Sequence, residues 1–541
     1  MNNDKDCMEV KNLLCSKSSV KNDFQSYVDF CIKQAFYCEN YLTKVFGLFL
    51  VLSIGSILPV LAEVPVPTLD NLHNQGTTIP NTTTVYPESA YTITEYIRQN
   101  ESEPLPANVI TLYDKKEVTK YYDPQTGKEI AVSDKVEGVT YKEVTTIEAT
   151  PKYYTVSLKQ TQYGNASATG ELRTITVSIP NSDGTGDSFK YDVTYRVDDN
   201  RLSPDRITSN QSGKDLNSDF VGLKNDVSGN YAYGGAIYNN NGSIGDITGD
   251  FVENIVSSDD HTAYGGAIYN NASRSIGNVT GDFIGNKALS TTSATYGGAI
   301  YNNGKIESLS GDFIANSASS GSAARGGAIY NGNYSANIKN ITGNFVGNYA
   351  LSDTSKAIGG AIYNYGSADI GNITGDFIAN YAKSEAGSAQ GGAIVNENAD
   401  ISNIAGDFIG NYTFSTTNKA LGGAIYNYDS ASITNITGNF IENYAKSVDG
   451  SVQGGAILNQ GSYIENIFAN FIGNSASTEN NNASGGAIYN DETSGNITGD
   501  FIGNYAKSGG DSASGGAIYN TYGDMGQISG DFVGNYVMSD K

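Results

Sequence analysis

The amino-acid sequence predicts an all-β chain, a parallel β-helix of about ten coils preceded by a small antiparallel β region. Three observations carry that expectation. A Gly-Gly-Ala triplet begins at residues 234, 265, 297, 326, 359, 391, 422, 454, 485 and 515, so that successive copies lie 29 to 33 residues apart. A Phe-x-x-Asn element falls between the triplets, starting at Phe251, Phe283, Phe313, Phe345, Phe377, Phe408, Phe440, Phe471, Phe501 and Phe532, with a degenerate copy at Phe220. Each Phe precedes the next glycine pair by 14 residues, or 13 once, whereas the stretch from glycine pair to Phe varies from 16 to 19. A fixed period with its insertions confined to one loop is the mark of a solenoid, in which each repeat stacks on its neighbours. Within a repeat the apolar residues form short β-branched runs bounded by Gly, Asn and Ser, with no 3.6-residue period long enough for a helix.

The first 62 residues hold six Lys against six acidic groups, so the whole formal charge of −24 belongs to the remainder. Such a surface repels nucleic acid and anionic lipid and names no partner. All four cysteines, Cys7, Cys15, Cys31 and Cys38, precede an apolar run, VFGLFLVLSIGSILPVLA, at residues 45 to 62. Lys44 stands before the run, Pro59 breaks it, and Val60-Leu61-Ala62 puts small residues at the usual recognition positions. Residues 1 to 62 therefore read as a long secretory signal peptide cleaved between Ala62 and Glu63. An uncleaved anchor is the alternative, since 18 apolar residues just suffice to span a bilayer. The exported chain then has no cysteine, and its stability rests on its own core rather than on disulfides.

Residues 63 to 110 are rich in Pro, Thr and Asn and read as a linker or spacer. Residues 111 to 205 alternate β-branched or aromatic residues with polar ones, as in KYYTVSLKQTQYG and FKYDVTYRV, and read as a small antiparallel region that caps the first coil. Residues 206 to 541 are the repeats, of about 31 residues each.

Each repeat supplies about three extended pieces that close into one triangular coil. In Ile373-Thr374-Gly375-Asp376-Phe377, alternation turns Ile and Phe inward and Thr and Asp outward, so stacking sets Phe on Phe along the core. The residue that follows Ala-Ile-Tyr or its variants is Asn in all ten copies: Asn239, Asn270, Asn302, Asn331, Asn364, Asn396, Asn427, Asn459, Asn490 and Asn520. Repeated in register, these form a ladder whose amides satisfy turn groups and one another. The polar run KSEAGSAQ, with Ser384, reads as surface.

The residue before each Phe tests for metal. It is Asp at 250, 282, 312, 376, 407, 500 and 531 but Asn at 344, 439 and 470. A ligand that interchanges with a neutral amide reads as a turn-capping acceptor, so no metal and no cofactor is expected. Only His73 and His261 are present, Arg274 and Arg325 occupy different phases of the repeat, and no Ser-His-Asp set or Cys nucleophile assembles. No catalytic residue is assigned. Tyr238, Tyr269, Tyr301, Tyr330, Tyr363, Tyr426, Tyr489 and Tyr519, interrupted by Val395 and Leu458, run out of phase with the inward Ile. They read as a stripe serving either stacking, the favoured role, or glycan binding.

The paired Gly-Gly-Ala-Ile and Phe-x-x-Asn elements resemble the repeats of chlamydial polymorphic outer-membrane proteins and related autotransporter passenger domains, over about residues 216 to 541. The resemblance implies a right-handed parallel β-helix, displayed at the cell surface or secreted as an adhesin, with a host or neighbouring-cell glycan or protein as partner. In that family export runs through a C-terminal β-barrel. No row of amphipathic strands of that kind follows the repeats here, so a barrel is expected from a downstream or partner component. β-Helical polysaccharide lyases and depolymerases are the alternative, because fold alone does not decide function. Specificity is expected in the loops NNASRS, NGNYSAN, NYDSAS and NTYGDMG, which differ while the frame repeats. Cleavage after Ala62 has a direct check: N-terminal sequencing of exported protein should read from Glu63, and a start well upstream would identify an anchor instead.

Overall fold

The computed structural model describes residues 91–98 and, with short interruptions, 109–540. The apolar run, the cleavage site at Ala62 and Glu63, all four cysteines and His73 lie outside the described residues. Every regular element described is a strand.

The repeats form a parallel solenoid of eleven coils, one more than the ten glycine pairs, because the degenerate copy at Phe220 completes a coil of its own. Each coil after the first, which has four, carries five strands rather than the three expected. In the coil around Phe377 they are Ala357–Ile358, Ile362–Tyr365, Asp369–Thr374, Phe377–Ile378 and Tyr381–Ser384. Each pairs with its counterpart one coil on, which builds four eleven-stranded sheets and one ten-stranded sheet. The Ile-to-Phe run breaks into two strands at Gly375, whose φ of 144° turns the chain before Phe377. The glycine pair makes another corner. The first glycine adopts a φ of 51° to 71° in every copy, and a Cβ on the second would come within 1.9 to 2.5 Å of a backbone oxygen. No side chain fits there, which is why the pair is invariant among the repeats.

Inside, Phe220 through Phe532 form one stack, with ring centroids 4.6 to 4.9 Å apart and planes within 9° of parallel. The rings are buried from Phe220 through Phe501, and Phe532 in the last coil is half exposed. Two Ile ladders, through Ile237 and Ile244, a third of Ile, Val and Leu through Ile247, and the Ala of the glycine triplet complete this core.

The antiparallel region starts earlier than expected. Tyr91–Tyr96, within the segment read as spacer, alternates as YTITEY and pairs with Lys142–Leu158, which in turn pairs with Val109–Tyr122. Leu172–Pro180 and Asp187–Arg196 form a separate hairpin. Among the described residues, the contacts these strands make include the flank of the solenoid. Tyr91, Tyr154, Ile175, Val193 and Tyr195 join the residues that follow each Phe, from Val221 to Val533, in one apolar cluster. Arg173 pairs with Glu253 at 3.3 Å, and the Tyr91 hydroxyl donates to Asp407 five coils further on. The physical reason is a second apolar column: the residue after Phe is Val or Ile in every coil and faces outward, so it needs a cover.

Ser384 is not a surface residue. It is fully buried, donates from Oγ to the Ser355 carbonyl at 2.5 Å and accepts from the Gly387 amide at 2.9 Å. Its equivalents Ser258, Ser290, Ser320, Ser352, Ser415 and Ser447 are also buried. Phe377→Ala should cost about 3 to 5 kcal/mol, with loss of amide protection concentrated in the coils of Phe345 and Phe408. Ser384→Ala should cost about 1 to 3 kcal/mol because it orphans two backbone groups. Exposed Lys419 supplies the neutral control, its Ala variant staying within about 0.5 kcal/mol in chemical denaturation.

Candidate functional site

A β-helix can host function only where side chains are not already spent on holding coils together, so each polar column must be accounted for first. The Asn ladder from Asn239 to Asn520 is spent. Each Nδ2 donates to the next Oδ1 at 2.7 to 2.9 Å, and most donate their second N–H to a loop or strand carbonyl, as Asn270 does to Lys305 O at 3.2 Å. These amides are buried except Asn520. The Asn of Phe-x-x-Asn makes a second such ladder, from Asn254 to Asn535, with amide contacts of 2.8 to 3.0 Å. Its other N–H caps the Phe carbonyl of the preceding coil, as Asn411 caps Phe377 O at 2.7 Å.

The Asp or Asn before each Phe is a backbone acceptor. Asp219 takes the Asp250 N–H at 3.0 Å, Asp250 takes that of Asp282 at 2.9 Å, and Asp312 takes that of Asn344 at 2.7 Å. Asn in the same column does the same work for Asp376 at 2.9 Å. Among the described residues no three His, Cys, Asp or Glu side chains are grouped to hold a metal ion. Burial raises the carboxyls of Asp312 and Asp407, and burial together with the neighbouring Asp282 pushes Asp250 up to about 6.

The tyrosine stripe is not exposed. Tyr269, Tyr301, Tyr330, Tyr363, Tyr426 and Tyr489 are buried, and Val395 and Leu458 fill the same column fully buried. A second tyrosine column, missed in the sequence, covers it. Tyr233, Tyr264 and Tyr296 stack face to face 5.2 to 5.3 Å apart and meet the inner rings edge-on, as Tyr296 meets Tyr330 at 5.0 Å and 87°. Arg325 takes the next register position and lies 4.9 Å from the Tyr296 ring centre, with Nη1 donating to its hydroxyl at 2.7 Å. Burial pushes the Tyr264 hydroxyl up to about 12 and those of Tyr301 and Tyr330 higher. This corner is a second core, and Val and Leu serve it as well as Tyr does.

His261 stacks on exposed Tyr231 at 5.1 Å, away from Arg325, while Arg274 donates to Asn240 O at 3.0 Å; the structure does not bring these groups together. What remains unspent is the loop after each ladder Asn and one outward column of Asn. Among the described residues, all twelve non-glycine residues with positive φ fall in two places. Glu253, Ala315, Ala379 and Glu442 occupy the third position of Phe-x-x-Asn, where Gly is usual. The other eight, Ser273, Asn333, Ser367, Asn398, Asp429, Ser430, Glu492 and Tyr522, all lie in the loops of variable length.

Comparison with protein-family models, with curated proteins and with solved structures finds no match.

The Asp250 column carries a pH signature. Its folded carboxyl titrates at about 6 against an ordinary 3.8, so the stabilisation belongs to the protonated form and is lost as pH rises through about 6. Asp250→Asn keeps the accepting oxygen and should stabilise the protein at pH 7.5 by on the order of 2 kcal/mol. Thermal denaturation should show the gain vanish below about pH 4; a pH-independent effect would refute the assignment.

Proposed function

We propose that the chain is a noncatalytic, exported adhesin-like rod, held at the cell surface or secreted, whose partner is a glycan or protein on a host or neighbouring cell. The observation that carries this is the separation of frame from loops. Glycine corners and Phe, Asn and Ser columns repeat almost without change, while sequence, length and left-handed non-glycine backbone vary in the loops after the ladder Asn. Strained backbone on a rigid scaffold is where recognition is commonly placed. NTYGDMG, for example, presents Tyr522 with 94% of its surface exposed. The negative surface suits a protein-protein or neutral-glycan contact more than a polyanion. Anchoring through a barrel encoded downstream or supplied by a partner completes the proposal.

Beads coated with the exported chain should adhere to target cells. Replacing residues 271–274 and 522–524 with Gly-Ser segments of equal length should reduce adhesion with little change in melting temperature, because the replaced groups lie outside the core. Undiminished adhesion would remove the loops from recognition, and release of reducing ends from polysaccharides would replace the adhesin by an enzyme.

A further inference from the structure

The third Asn column lies on the outward side of the six-residue strands, and its hydrogen bonding differs from that of the two buried ladders. Asn372 donates to Asn340 at 2.9 Å, Asn403 to Asn372 at 2.7 Å, Asn435 to Asn403 at 2.8 Å and Asn466 to Asn435 at 3.1 Å. Each donating amide here spends one N–H on its neighbour, where a buried ladder amide such as Asn286 spends both. An amide has two donors and an oxygen with two lone pairs, so the column presents an unspent N–H and acceptor capacity once per coil. All five residues are partly exposed.

The registers place other sugar-binding chemistry beside it. Parallel to the amides run Asp369, Asp400, Ser432 and Tyr463. Asp369 and Asp400 are exposed, Ser432 donates to Asp400 at 2.5 Å, and Tyr463 is 42% exposed. Between the two columns stand Gly371, Ser402 and Thr434, small enough to leave the face flat, with the last two exposed. Lys339 and Glu465 occupy the same position at either end of this window.

We propose that this face binds a neutral, extended polysaccharide strand lying along the solenoid axis, with one sugar per coil. Coils repeat at the 4.6 to 4.9 Å of the Phe stack, close to the residue length of an extended 1,4-linked pyranose chain. Amides and carboxylates at that spacing match hydroxyls, which both donate and accept, and Tyr463 offers an apolar ring face at the end of the row. Asp369 and Asp400, on a chain of net charge −24, turn away a polyanion. The site borders the variable loops, sharing Ser432 with NYDSAS, and stands whether or not those loops bind cells.

Affinity electrophoresis and calorimetry of the full chain against cello-, chito-, xylo- and malto-oligosaccharides test it, with hyaluronan as the anionic comparator. At least one neutral series should bind, with affinity rising until the oligomer spans the window. Tyr463→Ala and Thr434→Glu should each weaken binding about tenfold or more at unchanged melting temperature. Lys419→Ala and the loop replacements should leave it intact. No binding by any neutral series, equal binding of hyaluronan, insensitivity to both face variants, or loss on loop replacement would overturn the proposal.

Discussion

The fold depends on one requirement: many of the polar groups at each turn find a partner only in a neighbouring coil. The Phe carbonyls closing the Phe-x-x-Asn turn meet side-chain amides about 34 residues later in sequence, as Phe377 O meets Asn411. The Asn ladder beside the Ile column works the same way, and the Asp or Asn before Phe lends its oxygen to a backbone N–H one coil on. A single coil would bury these groups unpaired, at a cost its few apolar contacts do not offset. Stacking is therefore required before any coil is stable, and once two coils stack the flat Phe contact adds without further cost in backbone order.

This explains what was legible in the sequence. The Phe column and the first Asn column repeat in identity as well as position, so period and residue type together gave the stacking partner. Asn254 and its equivalents stood in the same motif, and the register that stacks Phe also stacks them, although they were first read only as part of a motif. Ser384 was opaque for a physical reason. A small hydroxyl beside Glu and Gly has the composition of a loop, and only its bonds to Ser355 and Gly387 show that it faces inward. Tyr233, Tyr264 and Tyr296 were hidden because two-residue strands have no periodicity to read.

The same reasoning divides the surface. A polar residue that appears as Asp in one coil and Asn in another keeps the group the two share, an oxygen that accepts a backbone N–H in either case. A column open to both Tyr and Leu is held by volume, which removes the inner tyrosines from recognition. The outward Asn column and the loops meet neither description, since neither volume nor turn closure accounts for the groups they leave unspent.

The buried amides also give the rod an electrical direction. In both interior ladders the N–H that bonds the neighbouring amide points toward the higher-numbered coil and the side-chain oxygen toward the lower, so the amide carbonyls align over ten coils, each polarising the next. The buried Asn239 oxygen, which has no donor among the described residues, is the negative pole of one such series. The outward column, from Asn466 back to Asn340, runs the opposite way. A solenoid built from near-identical repeats is thus not interchangeable end for end: its two tips differ in the sign of the field they project, independently of any ionised side chain.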